Sequence, residues 1–380
     1  WREKILQIID KLFEEDETCI LRVLLSNTNL EIKIKGAETS PFSSNIGSPQ
    51  GDAISGPLFT IYFEHFLKTL REEIKNLPVN VYDINDKWLE KRQSALPHEF
   101  IYADDFDYLT EDENIKNLVI QNSSKILLSG NLQVNDTKTE IAILKRNNGI
   151  EEWRKVKKVG SLLGDKEDIS NRKRLANLGF NKLERIWFSK TRVSNARRVK
   201  LYNVLVKSIL LYNCSTWGLT IQDEKQLNSF HRRHLRRLIN KRWPNKIRNK
   251  KLYEATTSIP ISIEITKRRW KLLGHILRLD KETPARKAMK FVFETRSSKK
   301  FRGRKRATIL TTINRDIKDT KKYLPTFNIN ELKTEVDLHN IGVKARNRKQ
   351  WKKIVEQVTK TAYFNASMRQ EYHHDVYNVL

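Results

Sequence analysis

The run Phe100-Ile101-Tyr102-Ala103-Asp104-Asp105-Phe106-Asp107-Tyr108-Leu109 sets two short stretches of strand-favouring residues on either side of a carboxylate pair. Residues 100–103 and 106–109 read as strands and Asp104-Asp105 as the turn between them, which commits the chain to an antiparallel hairpin with two carboxylates at its tip. A hairpin needs a surface to pack on, and the residues before it supply one. Leu58, Phe59, Tyr62, Phe66, Leu67 and Leu70 recur at helical spacing behind Ser55 and Pro57. They predict a helix with one buried stripe, Pro57 in its first turn and Ser55 as its N-cap. Ile5, Ile8, Ile9, Leu12 and Phe13, then residues 19–25, predict two packed helices at the start. Residues 30–35 alternate as a half-buried strand does, a helix is expected over 115–128, and a strand over 141–144. This order predicts an α+β layer, an antiparallel sheet with helices on one face.

Beyond Gly164 the pattern turns helical. Leu175, Leu178, Leu183, Ile186 and Trp187 mark one helix, and Tyr202, Leu205, Val206, Ile209 and Leu210 another, so the second half is expected to be mainly α. The run from Lys299 to Arg306 is a basic low-complexity stretch, expected as a hinge or linker. With 380 residues the chain is long enough for two or three domains. We divide it at 1–150, 151–245 and 246–380.

Seventy-three Lys and Arg against forty-five Asp and Glu leave a net charge of +28. Such an excess is a footprint for phosphate backbones; a merely soluble basic surface, or attraction to anionic membranes, is the blander reading. Cys19 and Cys214 are the only cysteines, which excludes a disulfide framework and a four-cysteine zinc site within the chain. The longest apolar run, Ser208-Ile209-Leu210-Leu211-Tyr212, is too short to cross a bilayer, and the first residues do not read as a signal peptide, so an intracellular protein is expected. The opening residues read as the middle of an element, as in a fragment of a longer protein.

Three constellations carry chemistry. Asp104 and Asp105 are hard oxygen donors of the kind that hold Mg²⁺ together with substrate phosphates, although an ordinary acidic turn has the same composition. Gly47-Ser48-Pro49-Gln50-Gly51-Asp52 is a glycine-bearing loop ahead of the buried helix; Gly51 would permit close approach of a base or sugar and Gln50 could then reach a nucleotide, with a plain capping turn as the competing explanation. Phe230-His231-Arg232-Arg233-His234-Leu235-Arg236-Arg237 is a basic helix that can track a phosphate backbone with Leu235 and Leu238 toward the core. Trp217 and Trp270 are either base-stacking platforms or core. His231, His234 and His275 invite a zinc reading, which the lack of a local cysteine pair weakens.

Taken in order, the glycine loop with Gln50, Gly51, Asp52 and Ser55, then Tyr102-Ala103-Asp104-Asp105, then Asn135-Asp136-Thr137-Lys138-Thr139-Glu140, resembles the palm motifs of reverse transcriptases. Val159-Gly160-Ser161-Leu162-Leu163-Gly164 resembles that family's primer-gripping turn. Thr216-Trp217-Gly218, the Arg232 to Arg237 helix, Arg268-Arg269-Trp270 and Leu273-Gly274-His275-Ile276-Leu277-Arg278 resemble the region after the palm in non-long-terminal-repeat retrotransposons. The resemblance implies a partial right-hand polymerase palm, then a helical thumb and a basic C-terminal region. It implies RNA-directed DNA polymerase activity with two Mg²⁺ ions, or Mn²⁺ in their place. Asp104 and Asp105 would be metal ligands and Lys138 a charge-neutralising or proton-donating group at the triphosphate. Gln50, Gly51, Ser55 and Tyr102 would border template and nucleotide, Gly160 and Ser161 would grip the primer, and Arg232, Arg233, Arg236 and Arg237 would bind the backbone. Template RNA, a DNA primer or RNA–DNA hybrid and deoxynucleoside triphosphates are the implied partners, with no membrane, and the nucleus is the implied site of action after cytoplasmic synthesis.

The family has a further metal-binding aspartate on a strand before the opening helices, and neither Asp10 nor Asp16 has that context. The chain alone is therefore expected to be inactive. A non-catalytic RNA or hybrid binder derived from a retrotransposon, and a maturase-like splicing helper, are the alternatives.

Overall fold

In a computed structural model, residues 2–26, 28–44, 47, 51–75, 99–110, 112–144, 151–188, 193–241, 244–294 and 307–375 are described. The fold is mostly helical with small antiparallel sheets. The chain divides into two compact units, Trp1–Lys91 with Pro97–Ile141, and Arg92–Leu96 with Ala142–Leu380.

The first unit opens on helices α1 (Arg2–Ile9) and α2 (Glu15–Leu25), as expected, although α1 stops at Ile9 and leaves Leu12 and Phe13, counted in its stripe, outside it and exposed. The stretch expected as one strand forms two short ones, β1 (Asn29–Leu30) and β2 (Lys33–Ile34), which pair with β4 (Phe42–Ser43) and β3 (Ala37–Glu38). Helix α3 (Ser55–Lys75) buries Leu58, Tyr62, Phe63, Phe66, Leu67 and Leu70. Ser55 is its first helical residue instead of its cap, one position from the expectation. The hairpin β5 (Glu99–Tyr102) and β6 (Asp105–Tyr108) follows, then α4 (Glu113–Ser129), started by Asp112, whose side chain accepts from the backbone N–H of Asn114 at 2.7 Å. The stripe of α3 meets Ile5 and Ile9 of α1 and Ile126 of α4 in one core. At the end of α4, Gly130 lets the Phe66 ring come so close that a Cβ would overlap it, and Tyr62 Oη donates to the Gly130 carbonyl at 2.6 Å. Residues 141–144 form no strand: Ile141, Ile143 and Leu144 are exposed, without the burial that would favour an extended ladder.

The second unit begins with a 3-10 turn at Glu152–Lys155 and the hairpin β7 (Lys157–Lys158) and β8 (Ser161–Leu162). Helices α5 (Asp165–Lys182), α6 (Glu184–Phe188), α7 (Asn195–Leu205), α8 (Lys207–Leu210), α9 (Ile221–Leu238) and α10 (Asn249–Ala255) build its first core around Phe180, Trp187, Tyr202, Leu227 and Leu235. Helix α11 (Ile261–Arg278) gives Ile261 and Ile265 to this core and Trp270, Leu273 and Leu277 to a second. That second core is completed by α12 (Pro284–Glu294), α13 (Ile309–Tyr323), α14 (Glu335–Arg346) and α15 (Arg348–Asp375). The sequence division at 245/246 thus falls inside this unit. The basic stretch ending at Arg306 lies outside the described residues, and among those described no helix is long and apolar enough to cross a membrane.

Within the second core, α15 packs on α11 at a close contact. Trp351 of α15 lies against α11 where Gly274 has no side chain, and its Nε1 donates to the Trp270 carbonyl at 3.1 Å. Gly274→Ala sets a methyl group against that indole, and the overpacking should cost about 1–3 kcal/mol. Thermal unfolding of the variant is expected several degrees below wild type; an unchanged midpoint would show that the Trp351 indole moves aside without cost.

Candidate active site and nucleic-acid interface

The acidic hairpin forms, with its turn one residue earlier than the sequence predicts: Asp105 is a paired strand residue and Ala103 a turn residue. Tyr102 pairs with Asp105, so Ala103 and Asp104 form a two-residue turn. Ala103 takes a φ of +54°, the left-handed region that glycine or asparagine usually supplies, at a cost of about 1–2 kcal/mol. Asp104 and Asp105 are both exposed. Because strand side chains alternate, Asp105, Asp107 and Tyr102 share one face, and Phe106, Tyr108, Glu99 and Ile101 the other. The second face is the anchored one. Phe106 packs on the core, and Glu99 accepts from Arg71 of α3 at 2.8 Å, with Glu64 completing the ion triad. Burial and the nearby Glu99 charge raise the pKa of the Tyr108 phenol. Asp107, which the motif reading passed over, was detectable from the two-residue period. Among the described residues no group of three His, Cys, Asp or Glu side chains converges on a metal position.

The other predicted palm residues lie in the same unit. Gly47 is held by Arg2, whose Nε donates to its carbonyl at 2.9 Å while Nη1 donates to the Leu25 carbonyl at 2.8 Å. Gln50 falls outside the described residues. Gly51 has a φ of +99° and open space where a Cβ would stand, so glycine is required there by the backbone and leaves the position accessible. Ser55 follows at the start of α3. Lys138 is exposed on a turn whose amide donates to the Asn135 carbonyl at 3.0 Å.

In the second unit, Gly160 and Ser161 sit at a turn with Val159 at φ +45° and Gly160 at +77°, both left-handed, as a tight hairpin turn demands. A buried network holds it. Asp168 of α5, 1% exposed, accepts from the Leu162 amide at 3.0 Å and the Trp217 indole at 2.9 Å. Arg172 donates to Ser161 Oγ at 3.0 Å and to the Gly160 carbonyl, with its guanidinium 4.3 Å from the centre of the Tyr212 ring. Tyr212 Oη donates to the Val159 carbonyl at 2.7 Å.

Helix α9 divides its residues cleanly. A capping box starts it, with the Asp223 amide donating to Thr220 Oγ1 at 3.1 Å and the Thr220 amide to Asp223 at 2.9 Å. Leu227, Phe230, His231, His234, Leu235 and Leu238 are buried. Arg233, Arg236 and Arg237 line an open basin of about 570 Å³ with Lys241, Ser229 and Glu184. Arg237 lies over the Phe180 ring, 4.6 Å from its centre. Arg236 donates to Asn249 Oδ1 at 2.6 Å, and burial, with Arg232 as a like-charge neighbour, lowers its pKa. The basin offers guanidinium groups, one ammonium and a hydroxyl against a single carboxylate, Glu184, 3.7 Å from Arg237, a mainly cationic donor set suited to phosphate oxygens.

Trp217 and Trp270 are core residues instead of stacking platforms: they are 1% and 0% exposed, and their indoles donate to Asp168 and Asp316. His231 and His234 are core as well. His231 Nδ1 and Tyr202 Oη are within hydrogen-bond distance at 2.9 Å, and burial raises the Tyr202 pKa. His234 stacks on Phe180 with ring centres 4.3 Å apart, and its Nε2 meets Asn177 Oδ1 at 3.3 Å. Both imidazoles are lowered to about 3, by burial first, then by Lys207 for His231 and Arg237 for His234. They are neutral structural groups. His275 is exposed on α11. No protein-family model matches this chain, and no curated protein matches it.

A histidine with a lowered folded pKa leaves the unfolded state with more bound protons between the two pKa values. Its contribution to stability is therefore complete above about pH 6.5 and is lost as pH falls toward about 3, by up to ~1.4 kcal/mol per pH unit for each ring. Asp165, raised to about 6 by burial, acts oppositely: its contribution is present at low pH and is lost as pH rises from about 4 to 6. The histidine effect is isolated by comparing wild type with His234→Phe in urea titrations from pH 8 to 5, followed by tryptophan fluorescence. The wild type should lose stability faster on acidification by about one proton's slope. Parallel profiles would show that His234 titrates normally in the fold.

Proposed function

We propose that this chain is part of a reverse transcriptase of the non-long-terminal-repeat retrotransposon kind, an RNA-directed DNA polymerase. Residues 1–150 then correspond to a partial fingers and palm, 151–245 to the primer-grip region and thumb, and 246–380 to a basic C-terminal region. The observation that carries the reading is the acidic hairpin. It lifts Asp104, on a two-residue turn with a left-handed Ala103, and Asp105, the first residue of β6, into solvent, and its opposite face is anchored to α3. Backbone strain of this sort tends to gather where a side chain must be presented for chemistry.

The two carboxylates fit hard divalent cations, because Mg²⁺ retains waters and is bound by one or two carboxylates together with substrate phosphates. When bound, such ions activate the primer 3′ oxygen and neutralise charge on the triphosphate. The chain's own groups do the positioning. Asp104 and Asp105 hold the cations, and Lys138 neutralises or protonates the leaving pyrophosphate. Gln50, Gly51 and Ser55 border the template and incoming nucleotide, with Tyr102 beside the carboxylates. Gly160 and Ser161 fix the primer end through a turn that the Asp168 and Arg172 network keeps rigid. The arginines of α9 hold the phosphate backbone. The family's carboxylate set includes a further strand-borne aspartate, so this reading expects the 380-residue chain by itself to bind hybrid without extending a primer.

A second reading, a nucleic-acid binder without catalysis, is favoured by one feature: the α9 basin is built wholly from second-unit residues and needs neither Asp104 nor Asp105. The two readings separate in a primer-extension assay on an RNA template with Mg²⁺, using the chain and a form extended upstream by an aspartate-bearing strand. Extension is expected from the longer form only, and Asp104→Asn should slow it on the order of 10³-fold while leaving hybrid affinity nearly unchanged. If the longer form binds tightly yet adds no nucleotide, the catalytic assignment fails and the binding reading stands.

A further inference from the structure

Four guanidinium groups gather where α14 passes into α15. Arg278, at the end of α11, donates from Nη1 to the Ala345 carbonyl at 3.1 Å. Arg286 of α12 reaches the same end of α14, with Nη2 3.5 Å from where a Cβ would stand on Gly342. Gly342 and Ala345 are three residues apart and so lie on one face of the helix. Arg346 closes α14 and Arg348 opens α15, both exposed, with only Asn347 between them.

Among the described residues none of these four arginines pairs with a carboxylate. Carboxylates near other cations are already taken: Lys287 pairs with Glu282 at 2.9 Å and Lys290 with Glu335 at 3.3 Å. Arg286 Nη1 is buried without a hydrogen-bond partner. Arg348 lowers the pKa of Arg278, and Arg346 that of Arg286, in each case after burial, so the groups feel one another's charge. Unneutralised cations held this close, one with an unmet donor, are relieved by an anion with several acceptor oxygens. Lys349, Lys352 and Lys353 extend the exposed charge along the first turns of α15. The charge thus forms a track instead of a single point.

We infer that Arg278, Arg286, Arg346 and Arg348 form a binding site for the phosphodiester oxygens of a nucleic-acid strand, built from residues other than those of the α9 basin and the acidic hairpin. The inference extends the nucleic-acid part of the proposed function and needs no polymerase activity.

Arg346 and Arg348 are the residues to change, because among the described residues neither side chain forms a hydrogen bond or ion pair. The probe is a fluorescent single-stranded RNA of about 20 nucleotides, titrated at several salt concentrations without divalent metal. Arg346→Gln with Arg348→Gln is expected to weaken binding about tenfold at about 0.1 M salt and to flatten the slope of log K against log salt by about 1.4, that is 0.7 for each lost contact. Lysines at both positions should restore most of the slope. Lys250→Gln with Lys251→Gln, an equal charge loss on α10, should change affinity less than about twofold. A glutamine pair with wild-type affinity and slope overturns the site, as does an α10 pair that weakens binding equally. Thermal stabilisation by inorganic phosphate, with RNA affinity indifferent to both arginines, assigns the cluster to a free anion and overturns the nucleic-acid source. Wild type that binds no RNA at all removes the broader nucleic-acid reading, an outcome distinct from loss of this site alone.

Discussion

Helix α9 can be both basic and buried only because its two histidines are neutral. The first core of the second unit closes over His231 and His234, which lie one turn apart on a helix that also carries Arg232, Arg233, Arg236 and Arg237. A proton on either ring would add a charge inside the core, next to cations already crowded on the outer face. Tyr202 satisfies one ring with its hydroxyl, while Phe180 and Phe230 enclose the other. With the imidazoles uncharged, the helix's positive charge is confined to one side, and Arg198 at its far end donates to the Leu238 carbonyl at 3.0 Å. The basin is therefore a product of the core beneath it.

The same division of labour recurs in α11. Its first half completes one core and its second half another, and Asp316 receives both the Arg269 guanidinium at 2.9 Å and the Trp270 indole at 3.0 Å. The fully buried Arg269 is paired through Nη1 alone, while its Nε and Nη2 have no hydrogen-bond partner among the described residues. The long helices that meet here carry the exposed arginines at the junction of α14 and α15, so that charge cluster sits on a well-packed frame.

Much of this was legible in the sequence where a pattern is local. The stripe of α3, the acidic hairpin and the inward leucines of α9 follow from periodicity and turn chemistry within a dozen residues. Reading failed where the deciding partner is distant. Residues 141–144 have the composition of a strand, but composition cannot say whether a neighbour will pair with them. The close packing of Trp351 on Gly274 joins residues far apart in the chain and has no local signal. The zinc reading of the histidines is weak in the sequence itself, but their actual partners, Tyr202 and Asn177, come from other helices and could not be read locally. Arg278 and Arg348 are 70 positions apart, a separation no motif spans.

Ala103 bears on how sharply the hairpin tip is defined. A glycine in its place would adopt the same positive φ with less strain, but it would also roam through many neighbouring conformations. An L-residue in the left-handed region occupies a narrow well, so enthalpic strain is exchanged for reduced conformational entropy at the apex. The two carboxylates that follow from it are thereby given fewer directions in which to wander.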